Sequence, residues 1–90
     1  MKSIRTRRFR ALLRKLPPDV KRQAYTAYRL FKHDPNHPGL HFKQVNTQQP
    51  FYSVRIGRDY RALGLRETDD VIIWVWIGTH AEYDKILHRL

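Results

Sequence analysis

The stretch FYSVRIGRDYRALGLRETDDVIIWVWIG, from Phe51 to Gly78, holds three apolar-rich runs separated by two short polar turns. Phe51–Gly57, Tyr60–Arg66 and Val71–Gly78 carry the β-branched and aromatic residues of strands, with Arg58-Asp59 and Glu67–Asp70 as turns between them. Connections this short join antiparallel neighbours, because a parallel crossover needs about a dozen residues or more. The last run, VIIWVWIG, is apolar at every alternation, which predicts a central strand covered on both faces. Its eight residues fall far short of the ~20 that span a bilayer, so no membrane role is expected.

Outward from this core the pattern changes. His41–Val45 predicts one more strand, reached through the NTQQP loop, and His33–Leu40 (HDPNHPGL) is a turn cluster that no helix crosses. Before it, Val20, Ala24, Ala27 and Phe31 form the buried stripe of a helix opening at Pro18 and Asp19. Tyr25, Tyr28 and Leu30 lie beside that stripe, and Lys21, Arg22, Arg29 and Lys32 face water. Phe9, Leu12, Leu13 and Leu16 mark a shorter helix that Pro17 and Pro18 end. On the other side, Thr79–Leu90 predicts a C-terminal helix, with Thr79 as N-cap and Glu82 completing a capping box, placed to cover the second face of the sheet. The fold class expected is α+β: two N-terminal helices packed on a small twisted antiparallel sheet of about four strands, with a short C-terminal helix. Ninety residues make this one domain, 1–90.

The chain has no cysteine, so neither disulfides nor thiolate metal sites enter the reading, and the N-terminus lacks a secretory apolar region. A cytoplasmic protein is expected. The net charge of +10 is unevenly spread: Met1–Lys32 holds eleven Lys/Arg and one acid, Asp19, whereas His33–Leu90 holds seven of each sign. Such a block attracts nucleic acid or anionic lipid, and it equally describes a solvated helix face or the docking site of an acidic partner.

Chemistry concentrates at the end of the last strand. His80 follows the N-cap, where the positive end of the helix dipole disfavours imidazolium and suits the ring to general-base work; Tyr83 and Asp84 share its helix face. The same spacing also describes an ordinary surface histidine. Alternation places Arg55 away from the helix-packed core, and Arg61 of the next strand is expected on the same open face, where two guanidiniums suit a phosphate, although arginine also decorates solvated strands. His33, His37 and His41 are spaced by four, but Pro35, Pro38 and Gly39 prevent the helix that a metal site would need, so no metal is expected.

Taken together, FRALLRKLP, YRLFKHDPNHPGLHFK, YSVRIGRDYRALG and WIGTHAEYDKIL give the chain, over nearly its whole length, the look of a toxin of the RelE/ParE superfamily from bacterial type II toxin–antitoxin systems. The resemblance implies a concave basic site on the sheet and, in the RelE/YafQ-like branch, an mRNA interferase: a ribosome-dependent endoribonuclease that inhibits translation without metal or other cofactor. In that chemistry the RNA 2′-hydroxyl attacks its neighbouring phosphate, leaving a 2′,3′-cyclic phosphate and a 5′-hydroxyl. It also implies a cognate antitoxin as partner, beside mRNA and the ribosome. Arg55 and Arg61 match basic residues around the scissile phosphate, His80 matches the histidine of YafQ-like members, and Tyr83 falls close to the C-terminal aromatic of that branch. Lys43 and Arg58 are candidates for backbone phosphate contacts, and Arg7, Arg8 and Arg14 for anchoring RNA. Ser53 stands where RelE has a lysine, and MKSIRT shows little of the family's N-terminal strand. The alternatives are a ParE-like inhibitor of DNA gyrase and a non-catalytic protein that binds nucleic acid or antitoxin.

Overall fold

The computed structural model describes Met1–Leu90. In chain order it forms strand β1 (Lys2–Arg5), helix α1 (Arg7–Arg14), helix α2 (Pro18–His33), a 3-10 turn (Pro38–Leu40), strands β2 (Lys43–Gln44), β3 (Phe51–Ile56), β4 (Tyr60–Thr68) and β5 (Val71–Thr79), and helix α3 (His80–Arg89). The strands make one sheet in the order β1-β5-β4-β3-β2. β2 to β5 pair antiparallel, as the short turns require, whereas β1 joins the far edge parallel to β5.

The α+β expectation holds, with a fifth strand that makes the sheet mixed. MKSIRT concealed β1 because it contributes one branched apolar residue, Ile4, and that residue stays 40% exposed. Its anchors are polar and distant in sequence. Ser3 Oγ accepts from the Trp74 indole at 3.3 Å, and Thr6 Oγ1 donates to the Trp74 carbonyl at 3.0 Å while accepting from Phe9 N to cap α1. The expected strand His41–Val45 shrinks to Lys43–Gln44, because His41 is left-handed (φ 47°) and ends the 3-10 turn.

Val54 and Ile56 of β3, Ala62 of β4 and Ile72, Trp74 and Ile77 of β5 face α1 and α2, whose Phe9, Leu13, Ala27 and Phe31 close the main core. Ile72, Trp74 and Ile77 do not keep strict alternation, since β5 carries a bulge: Leu63 pairs with Trp76 and Gly64 with Trp74, leaving Val75 as the extra residue. The bulge turns Trp76 to the opposite face, where it meets Leu63 and Tyr83 of α3 in a second, smaller cluster. The C-terminal helix thus covers the second face, as the doubly apolar strand demanded.

Candidate active site

Arg55 of β3 and Arg61 of β4 are directly opposed across the ladder, and Arg61 in turn faces Gly78 of β5. The row lies on the α3 face of the sheet, in line with Ser53 and Leu63 on their strands. Directly opposed residues bring their Cβ atoms within about 4.5–5.5 Å, and like charges so placed destabilise a sheet. Neither arginine has a carboxylate partner; the one contact of this kind in the molecule is that of the His80 imidazole with the Asp84 carboxylate. Instead Arg55 Nε donates to the Gly57 carbonyl at 3.0 Å and Arg61 Nη1 to the Tyr60 carbonyl at 2.8 Å. These bonds hold two half-buried guanidiniums in place while leaving further N–H donors unengaged. Gly78 lets Trp76 and Glu82 lie close against the strand: a Cβ there would come within 2.5 Å of the Trp76 ring and 3.0 Å of Glu82.

The same end of the sheet launches α3. Thr79 Oγ1 accepts from Glu82 N at 3.2 Å, and the Glu82 carboxylate accepts from Thr79 N at 3.0 Å and from the Thr79 hydroxyl at 2.9 Å, which completes the capping box. The backbone N–H and hydroxyl of Thr79 hold the Glu82 carboxyl below the usual glutamate range. His80 N donates to the Asp59 carbonyl at 2.8 Å, tying the helix start to the β3–β4 turn that also carries Arg58. The imidazole is half exposed, with Nδ1 3.3 Å from Asp84 Oδ2 one turn along the helix. That contact occupies one ring nitrogen and leaves Nε2 available toward solvent.

Tyr83, a candidate by its match to the C-terminal aromatic and expected to position or stack on a substrate, is not open to one. It is 5% exposed, and its hydroxyl donates to the buried Ser53 Oγ at 3.0 Å. A phenol so enclosed cannot stack on a substrate; it pins the first turn of α3 to the middle of β3, with its ring centroid 6.0 Å from that of His80. Ser53 therefore belongs to the site: alternation puts it on the same side as Arg55, and only the structure shows it as the partner of Tyr83. Lys43, opposite Ser53, adds an exposed amine at the sheet edge. Arg7, Arg8 and Arg14 are exposed on α1 and do not join the arginine row; Arg8 lines a separate cleft with Trp76, Ile86 and Leu90. His37 Nδ1 accepts from Gly39 N at 3.1 Å within its own turn, and no three potential metal ligands cluster anywhere.

A family model described as ParE-like toxin domain matches residues 18–85, the larger part of the chain. The chain belongs to the ParE-like toxin domain family. Among solved structures, this ParE-like chain resembles one from the RelB–RelE antitoxin–toxin complex of Methanococcus jannaschii (14% identity, TM-score 0.71, covering 92% of this chain and 96% of that one). It also resembles a copper-bound mutant toxin from Helicobacter pylori (23% identity, TM-score 0.56, covering 91% and 97%). At these identities the likeness establishes a shared RelE-like fold. No curated protein matches the chain. No helix of the toxin domain is long and apolar enough to cross a membrane.

Proposed function

We propose that this ParE-like toxin is a metal-independent endoribonuclease that cleaves mRNA on the ribosome, acts in the cytoplasm and is held in check by a cognate antitoxin. The observation that carries the reading is the opposed pair Arg55 and Arg61, free of acids, at the mouth where α3 presents His80. A sheet tolerates such a like-charge pair at a cost, and a phosphate between the guanidiniums removes that cost.

In the proposed reaction, His80 Nε2 takes the proton of the RNA 2′-hydroxyl as its oxygen bonds to the adjacent phosphorus. The phosphorus–5′-oxygen bond breaks, solvent protonates the departing oxygen, and a 2′,3′-cyclic phosphate and a 5′-hydroxyl result. Arg55 and Arg61 bind the non-bridging oxygens and stabilise the charge that builds on them. They carry no proton, since a guanidinium stays protonated in proteins. Asp84 orients the imidazole through Nδ1, and Tyr83 with Ser53 fixes the position of the helix start. Lys43 and Arg58 flank the row as contacts to neighbouring phosphates, and Arg7, Arg8 and Arg14 anchor RNA from α1.

His80→Ala is expected to lower mRNA cleavage on translating ribosomes by about 10²-fold or more. Intact cleavage by that variant overturns the scheme. The family match keeps one rival in view, a non-catalytic inhibitor of DNA gyrase: plasmid supercoiling lost on expression while mRNA stays whole would establish it.

A further inference from the structure

Arg55, Arg61 and His80 are all held by main-chain oxygens of one short stretch, Gly57–Tyr60, which is the β3–β4 turn with the first residue of β4. The Gly57 carbonyl accepts from Arg55 Nε at 3.0 Å, the Asp59 carbonyl from His80 N at 2.8 Å and the Tyr60 carbonyl from Arg61 Nη1 at 2.8 Å. Ile56 against Tyr60 is the last rung of the hairpin, so the turn's own carbonyls stand beyond the ladder. Two opposed guanidiniums lower their repulsion by swinging apart into water. The main-chain acceptors oppose that motion.

Of the three acceptors, that of Gly57 depends most on residue type. Gly57 lies in the left-handed region, at φ 56°, which a side chain disfavours and a β-branched one disfavours most. This backbone directs the Gly57 carbonyl to Arg55, two residues back on β3. With Nε engaged, both Nη groups of Arg55 remain as the paired donors that a phosphate takes end-on. On its other side Gly57 meets α2: a Cβ there would come 2.3 Å from Oε1 and 2.7 Å from Cδ of Gln23, an exposed side chain. The nearest atoms all belong to Gln23, so truncating it removes the closest obstruction and leaves the backbone requirement by itself.

We infer that Gly57 is a positioning residue of the arginine row: its left-handed backbone aims the carbonyl that holds Arg55 with both Nη groups free for the substrate phosphate. The inference rests on the row being the phosphate site of the proposed reaction. It adds that a residue in contact with no substrate sets how well the row stabilises the charge on phosphorus. A misplacement of about 1 Å in such a group costs on the order of 10²-fold in rate. A glycine that only closed the hairpin would leave Arg55 indifferent to its replacement.

The test uses the full chain carrying Gln23→Ala, with position 57 left as glycine, changed by Gly57→Asn, which tolerates the left-handed region, or by Gly57→Val, which does not. Gly57→Ala, a milder breach, replaces Gly57→Val if the latter does not fold. Solvent exchange of the Arg55 Nε–H is followed by NMR, with the affinity for inorganic sulfate read at the Arg61 guanidinium. Turnover of mRNA on translating ribosomes gives kcat and KM separately. Gln23→Ala alone is expected to match the unaltered chain. Adding Gly57→Val speeds the Arg55 exchange at least about tenfold. It also weakens sulfate binding and lowers kcat about tenfold or more, with a smaller change in KM. Gly57→Asn recovers most of each loss. Unchanged Arg55 exchange in the valine variant overturns the inference, as does an asparagine variant no better than valine, or fast exchange with kcat intact. Should the unaltered chain cleave no RNA, the ribonuclease reading alone falls: weaker sulfate binding confined to the valine variant still supports the positioning role, and equal binding overturns it.

Discussion

The face of the sheet under α1 and α2 buries a core cluster of eleven residues, whereas the face under α3 buries a cluster of three, with Val45, Val75, Ile86 and Leu87 partly covered beside it, and also carries Arg55 and Arg61. The difference follows from chain supply. Two helices bring Phe9, Leu13, Ala27 and Phe31 to the first face, and Phe31 stacks edge-on against both Phe42 and Trp74. The second face receives one helix that buries one residue, Tyr83. Stability is thus concentrated on one side, and the other is left free to hold like charges together and to present a histidine. A fold of this size that carries a costly arginine pair needs its free energy from elsewhere in the same sheet.

Variants on the two faces can break this contrast. Phe31→Ala should cost about 3–5 kcal/mol in urea unfolding, while Leu63→Ala on the α3 face should cost nearer the low end of the leucine range, about 2–3 kcal/mol. Equal losses would mean the second face carries as much of the stability as the first. The buried Tyr83–Ser53 hydrogen bond is the α3 face's main polar contribution. Tyr83→Phe and Ser53→Ala should each cost about 1–2 kcal/mol, with the double variant losing less than the sum, as a thermodynamic cycle will show.

Thr79→Ala should cost about 1 kcal/mol by removing the N-cap. The loss should depend on pH with a definite sign. Glu82 is held below the ordinary glutamate range in the folded state, so its bond to Thr79 stabilises α3 above the unfolded value and is lost as pH falls through the folded one. The difference between wild type and Thr79→Ala should therefore narrow on acidification, and a constant difference would show that the hydroxyl acts without the carboxylate. Asp84→Asn should change stability least, by at most about 0.5 kcal/mol, since the pair with His80 is half exposed. A larger effect on the proposed cleavage than on stability would assign Asp84 to the imidazole.

Much of the scaffold was legible because its causes are local. The two turns of the Phe51–Gly78 stretch, the proline breaks and the capping box at Thr79 act within a few residues of chain, and each produced the expected element. Arg55 and Arg61 could be placed on one face by alternation, although their direct opposition depended on the β3–β4 register. Other features depend on partners far away in sequence. β1 exists through Trp74, about seventy residues on, and a strand with one apolar residue gives no local sign of it. The β5 bulge at Val75 puts Trp74 and Trp76 on opposite faces, whereas strict alternation, which carries no sign of a bulge, puts them on the same one.

The sequence by itself determined the fold class, the family resemblance and the confinement of positive charge to the first third, since composition and short-range periodicity carry all three. Tertiary structure alone decided the roles of Tyr83 and Ser53: whether a tyrosine on an amphipathic helix faces a substrate or a strand depends on what lies opposite, and that strand is thirty residues away in the chain. It also opened a cleft between α1 and α2, because the spacing of two helices is set by the strands they rest on rather than by their own residues.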